Sequence, residues 1–334
     1  MQTRRLGNHG PLVSAVGLGC MGMSGMYGTA DEAESIATIH SAVESGVTLI
    51  DTGDFYGMGH NELLLGQALA GLPRDEVLLS VKFGAQRGPD GAWLGYDSRP
   101  AAVKTALAYS LNRLGTEHID IYRPARLDPN VPVEETVGAI AELVEAGYVR
   151  HIGLSEVGPE TIRRAAAVHP ICDLQIEYSL ITRGIEAAIL PRCRELGIAI
   201  TAYGVLSRGL ISGHFSADRS LERGDFRRAS PRFRGENLQH NLALADRLRE
   251  IAAGRGLTAA QLAIAWVLNR GEDIVPLIGA RTRERFEEAL GSVSAALDGA
   301  ARSALEDALP PDAAAGARYP EAQMSQLDSE RSPD

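Results

Sequence analysis

What most constrains the fold of this chain is an alternation. Short apolar runs at residues 16–18, 49–51, 77–81, 119–122, 152–154, 174–176, 198–202 and 274–278 are separated by segments with helical spacing. One such segment, 134–146, puts Val137, Ile140, Ala141 and Val144 on one face, and Gly147 stands where a helix C-terminal glycine belongs. Eight strands alternating with helices predict an α/β fold, a parallel (β/α)8 TIM barrel, because every parallel crossover needs a covering helix. The competing fold is a doubly wound open sheet. Its glycine fingerprint is met only in part: Gly17, Gly19 and Gly22 are followed by a further loop before a helix begins near Asp31. The barrel is expected over 1–308 as a single domain, with a long loop at 204–236 after the seventh strand. Residues 309–334, opening PPDAAAGARYP, are expected to be a flexible tail. A loop as long as 204–236 is usually functional or disordered, and here it would lie over the barrel mouth.

Bulk properties narrow the function. A formal net charge of −10 argues against a general nucleic-acid surface. Cys20, Cys172 and Cys193 are odd in number and lack metal-ligand spacing, so reduced thiols are expected and no metal site. No run approaches the roughly 18 apolar residues of a membrane span, and the charged, turn-rich start does not read as a leader. A cytoplasmic protein is expected. The sequence is silent on oligomeric state.

In a barrel, side chains at the carboxyl ends of the strands meet at one mouth. The second strand delivers Asp51 there, Tyr56 comes next in a glycine-flanked loop, and the third strand ends at Lys82. Taken singly, Lys82 with Asp51 is a rim ion pair and Tyr56 an exposed aromatic. Together they suggest a relay. A phenol is a weak acid at neutral pH unless a nearby cation favours its ionised form, and a carboxylate behind an ammonium would hold that cation in place. Such a set can protonate a carbonyl oxygen as hydride reaches the carbon.

At these residues the chain resembles the aldo-keto reductase family. DTGDFYGMGHNELLLGQAL, KFG, GYVRHIGLSE, LQIEYSL and AYGVLSRGL carry the resemblance, from about Arg4 to Val293. It implies a (β/α)8 barrel that binds NADPH and reduces aldehydes and ketones, with Tyr56 as proton donor, Lys82 lowering its pKa and Asp51 orienting Lys82. It also exposes a gap. The family usually carries histidine at the end of the fourth strand, where this chain reads Arg123-Pro124-Ala125-Arg126, so Ala125 takes the place of the imidazole that binds the substrate carbonyl. Arg123, on the same side of the strand as Ala125, either offers substitute donors to the mouth or forms a structural ion pair.

The resemblance further implies a cofactor site. Ser155, Glu156 and Gln175 are expected at the carboxamide, Tyr203 stacked on the nicotinamide, and Gly204, Val205, Leu206, Ser207, Arg208 and Gly209 at the pyrophosphate. Gly19, Cys20 and Met21, with Asp51, would line the floor. Independently of any family, Arg281, Arg283 and Arg285 after Gly279 and Ala280 make a positive helix start in an acidic chain. That suits a 2′-phosphate, favouring NADP over NAD; the resemblance assigns the phosphate to Arg281 and Arg285 and the adenine to Glu288. Substrate-pocket candidates are Met23, Tyr27, Phe55, Trp93, Arg123 and Ala125, with Phe226 or Phe233 from the long loop. Aromatic walls suit a small, apolar or ring-bearing carbonyl compound. Two other readings compete: an NADPH-binding regulatory or sensor protein of low turnover, to which the gap at Ala125 lends weight, and a phosphate-binding barrel of sugar metabolism.

Overall fold

Every one of the eight apolar runs forms a strand, and the eight close on themselves. The computed structural model describes residues 1–331. In chain order the strands are β1 (Thr3–Arg5), β2 (Leu12–Ser14), β3 (Gly17–Gly19), β4 (Leu49–Gly53), β5 (Leu78–Phe83), β6 (Ala85–Arg87), β7 (Trp93–Tyr96), β8 (Ile119–Pro124), β9 (Val149–Ser155), β10 (Ile171–Glu177), β11 (Ala199–Tyr203) and β12 (Ile274–Gly279). The barrel runs β3-β4-β5-β8-β9-β10-β11-β12 and back to β3, all parallel. Closure excludes the doubly wound sheet, and helices such as Glu32–Glu44 and Val133–Glu145 cover the outside. The second of these ends as its sequence indicates: the backbone reverses at Gly147 with φ 83°, a conformation costly for any residue with a Cβ.

Two antiparallel hairpins lie outside the barrel pattern. β1–β2 plugs the end opposite the mouth, where Leu6 and Val13 join Leu49, Ile121, Cys172 and Val275 in a separate apolar cluster inside the strands. β6–β7 comes directly after β5 and carries Trp93 and Tyr96 to the mouth. The long loop is present, held in short turns at Ser207–Gly209, Phe226–Ala229 and Pro231–Phe233. Among the described residues no helix is long and apolar enough to cross a membrane.

The segment expected to be a flexible tail is, over 309–331, packed against the barrel; residues 332–334 lie outside the described residues. Leu309, Arg318, Tyr319 and Leu327 are buried. Asn241 donates to the Ala315 carbonyl and accepts from its N–H at 2.9 and 2.8 Å. Arg208 donates to the Arg318 carbonyl at 2.9 Å. Composition misled here because the order comes from distant partners rather than from periodicity within the segment.

Candidate functional site

The chemistry-bearing side chains meet at the carboxyl ends of the strands, on the floor of a cavity of about 700 Å³. Alternation along β4 and β5 turns Asp51, Ser80 and Lys82 toward the barrel axis, with Asp51 paired to Ser80 and Lys82 two residues further along β5. Lys82 Nζ lies 2.5 Å from Asp51 Oδ1. The other carboxylate oxygen accepts from Ser80 Oγ at 2.8 Å and from Gln175 Nε2 at 2.7 Å. Arg123 is fully buried inside the barrel, donating to Asp173 Oδ2 at 2.9 Å and to Ser80 Oγ at 3.0 Å. Gly153 makes the room: a Cβ there would lie 2.7 Å from Asp173 Oδ1 and 3.0 Å from the Arg123 guanidinium. The expectation that Arg123 faces substrate is therefore corrected in favour of the ion pair. Asp51 with Lys82, and Asp173 with Arg123, give a barrel interior whose charges cancel.

Tyr56 stands at the edge of this set, buried, with Lys82 Nζ 5.1 Å from the centre of its ring. Burial, reinforced by the charge of Asp51, raises its pKa well above the usual phenol value. Burial lowers that of Lys82, against the pull of Asp51. The expected lowering of the phenol is thus not what this environment produces: burial and Asp51 favour the protonated form of Tyr56. Among the described residues Lys82 donates to Asp51 and makes no hydrogen bond to Tyr56. Two residues earlier, burial and the neighbouring Glu62 push the Asp54 carboxyl up to about 7.

The cavity continues from this floor as a groove. Gly19, Met21, Ser155, Gln175 and Tyr203 line its inner part, Gly204, Val205, Leu206, Arg208 and Gly209 its middle, and Gly279, Ala280, Arg281, Arg285 and Glu288 its outer end. Cys20 and Ser207 are buried behind it. The backbone at Glu156, Ser207 and Arg208 is left-handed, at φ 54°, 47° and 57°; such strain in residues with side chains concentrates at functional loops. Of the basic helix start, Arg283 is spent on Glu34 at 2.9 Å, and Arg285 reaches Glu288 at 3.1 Å. Arg281 forms no ion pair among the described residues and donates only to the Tyr27 and Thr29 carbonyls, at 3.2 and 3.0 Å.

Glu156 departs from its expected place at the carboxamide, because it does not line the groove. Its oxygens are taken by Arg318 at 2.8 and 2.5 Å, Tyr203 Oη at 2.6 Å and Ser329 Oγ at 2.7 Å. Burial alone would raise its pKa, but the Arg318 guanidinium holds it well below the usual carboxylate range. Glu156 is the anchor of the C-terminal segment.

Of the residues expected at a substrate pocket, Tyr27, Phe55, Trp93 and Phe226 line the cavity. Met23 and Phe233 do not; both are packed in the core. Ala125 is only 2% exposed and does not reach the cavity. The strand ends at Pro124, so alternation no longer governs the residues beyond it, and Arg126 is the side chain that enters the mouth. Tyr96, Arg126 and Tyr319 are wall residues that the sequence reading missed. Arg126 was legible as the basic residue just past a strand end. Nothing in ARYP marks Tyr319.

Comparison with known proteins agrees with this architecture. The sequence model described as the aldo/keto reductase family matches residues 15–309. The chain is 42% identical over 322 residues to "Probable aldo-keto reductase 1" of Glycine max, covering 96% of this chain and 92% of that protein. Among solved structures it resembles the glycerol dehydrogenase AKR11B4 from Gluconobacter oxydans, with a TM-score of 0.83 and 28% identity over 99% of this chain and 98% of that one. It also resembles the holo form of the aldo-keto reductase AKR11C1 from Bacillus halodurans, with a TM-score of 0.75 and 27% identity over 92% and 96% of the two chains.

Proposed function

Since the chain belongs to the aldo/keto reductase family, and so to the oxidoreductases that act on carbonyl groups, we propose that it reduces aldehydes and ketones with NADPH, using Tyr56 as the proton donor. The observation that carries this reading is a buried phenol, protonated at neutral pH, on the floor of a groove and beside a charge-balanced Asp51–Lys82 pair.

The groove suits the cofactor. Ser155 and Gln175 offer polar contacts beside the Tyr203 ring at the inner end, and Arg281 offers an unpaired guanidinium at the outer end. An unpaired cation at a helix start favours a phosphate, and thus NADPH over NADH. These residues would hold NADPH, and the chemistry it would supply there is hydride for a carbonyl carbon. As that carbon is reduced, the π-electron pair moves to oxygen and Tyr56 Oη gives up its proton to it. The phenolate left behind faces the Lys82 ammonium, which Asp51 holds in place, and is reprotonated from solvent. Phe55, Trp93 and Tyr96 form an edge-to-face aromatic wall, with centroid distances of 6.4 and 5.2 Å, that fits an apolar or ring-bearing carbonyl compound.

The test follows cofactor absorbance with a panel of aromatic and aliphatic aldehydes. Tyr56→Phe is expected to abolish turnover while NADPH binding, read by cofactor fluorescence, stays within about twofold. Unchanged turnover in that variant would remove Tyr56 from the reaction.

A further inference from the structure

The strongest unexplained group in the cavity is the Arg126 guanidinium. Five arginines around the mouth meet a carboxylate: Arg123 meets Asp173, Arg208 and Arg232 meet Glu177, Arg227 meets Asp225, and Arg318 meets Glu156, whereas Arg281 at the outer end of the groove meets none among the described residues. Arg126 forms no ion pair among the described residues. It donates to the Ala125 carbonyl at 2.6 Å, and more weakly to Ser155 Oγ and Tyr319 Oη, both at 3.4 Å. Glu156, at the tip of the adjoining strand, is already consumed by Arg318. Inside the barrel Asp51 cancels Lys82 and Asp173 cancels Arg123, and Arg126 adds an unpaired positive charge to the cavity wall that also holds Tyr56 and Lys82. Arg126 is partly buried, and holding a cation at a cavity wall without a counter-ion costs free energy that negative charge arriving in the cavity would recover.

We propose that Arg126 is the second donor to the substrate's carbonyl oxygen, sharing with Tyr56 the atom on which negative charge develops. The proposal rests on the carbonyl-reducing reading above. When hydride reaches the carbon, the π pair of the C=O bond passes to oxygen, and the new O–H bond takes its proton from Tyr56. Arg126 keeps all its protons and contributes only a charge-assisted hydrogen bond, a type about twice as strong as a neutral one. A neutral imidazole at position 125 is then unnecessary, because a permanently charged fork from position 126 covers the same oxygen. Tyr319, whose ring centre lies 6.0 Å from the guanidinium carbon, is a positioning residue supplied by the C-terminal segment.

The experiment compares the parent with Arg126→Met and Arg126→Lys. On neutral benzaldehyde, Arg126→Met is expected to lose about 10²–10³-fold in kcat, the loss typical of removing one oxyanion donor. NADPH affinity should hold within about twofold, Arg126→Lys should recover part of kcat, and the melting temperature of Arg126→Met should not fall, since an unpaired charge is removed. A kcat within about threefold of the parent overturns the proposal. So does a loss confined to KM for carboxylate-bearing aldehydes, which would make Arg126 an anchor for a substrate anion. A second measurement separates the two readings: affinity of the NADP⁺ complex for benzamide, whose neutral carbonyl oxygen needs a hydrogen-bond donor but offers no anion to an anchor. Should the parent reduce no carbonyl at all, the reaction assignment fails, and benzamide decides Arg126 alone. An affinity weakened tenfold or more in Arg126→Met upholds the oxyanion-holding role; unchanged affinity overturns it.

Discussion

The Arg318 guanidinium ties the C-terminal segment over the mouth to a buried carboxylate, and Arg318→Met is the perturbation that tests how much of the docking this tie supplies. Arg318 is 5% exposed and Glu156 wholly buried. Arg318 binds both oxygens of Glu156, reaches Glu330 at 2.7 Å and stands 3.6 Å from Glu177. Methionine preserves much of the side-chain volume but leaves Glu156 ionised and buried, with only Tyr203 Oη, Ser329 Oγ and the Glu177 N–H as donors. Removing one member of a buried ion pair costs about 3–5 kcal/mol, because the other charge is stranded. The strands around Glu156 are fixed by the barrel, whereas residues 310–331 can leave it, so the cost falls on docking of the segment. At about 1.4 kcal/mol per factor of ten, the docked population drops by roughly 10²- to 4 × 10³-fold relative to the open one.

Amide hydrogen exchange reads this directly. Protection at residues 316–329 should fall by that factor in Arg318→Met, while β8, β9 and β10 exchange as in the parent. Glu156→Gln combined with Arg318→Met should regain part of the loss, since the stranded charge is gone. In the parent the sign is that of a depressed carboxylate. The stabilisation is full above the ordinary glutamate pKa and is lost only as pH falls through the much lower folded value, so the segment stays docked through mildly acidic pH. Protection unchanged in Arg318→Met, or lost equally across the barrel strands, would refute the clasp.

The charges nearby set two further outcomes. Burial raises the Asp54 carboxyl from 3.8 to about 7, so its contribution to stability is whole below pH 4 and lost as pH rises through 7; Asp54→Asn should be up to about 4 kcal/mol more stable than the parent at pH 8 and little different at pH 4, and a urea-midpoint difference independent of pH would refute it. Arg281→Met should weaken NADPH by about 10- to 100-fold, one charge-assisted contact, and leave NADH affinity unchanged; equal loss for both cofactors in a fluorescence titration would place Arg281 away from the 2′-phosphate.

What the sequence yielded and what it withheld share a physical cause. Parallel strands covered on both faces must be continuously apolar, so all eight barrel strands stand out as short runs, and the helix at Val133–Glu145 shows its buried face at 3.6-residue spacing. Alternation likewise placed Asp51 and Lys82 side by side, because both lie within regular strands. It failed one residue past a strand end. Arg123, still inside β8, obeys the alternation and turns inward, and the absence of a Cβ at Gly153 lets it meet Asp173 there. Arg126 lies beyond Pro124, where no periodicity applies, and its direction is decided by Ser155 and Tyr319 from elsewhere in the chain. The C-terminal segment is the same failure at larger scale. Its alanines, prolines and glycines have no amphipathic period, yet Arg318 and Tyr319 each find a partner more than 100 residues away in sequence. Pattern reading sees order that repeats along a chain. The groups that distinguish this mouth are fixed by single long-range contacts, and the family model, which ends at residue 309, stops short of the segment that supplies two of them.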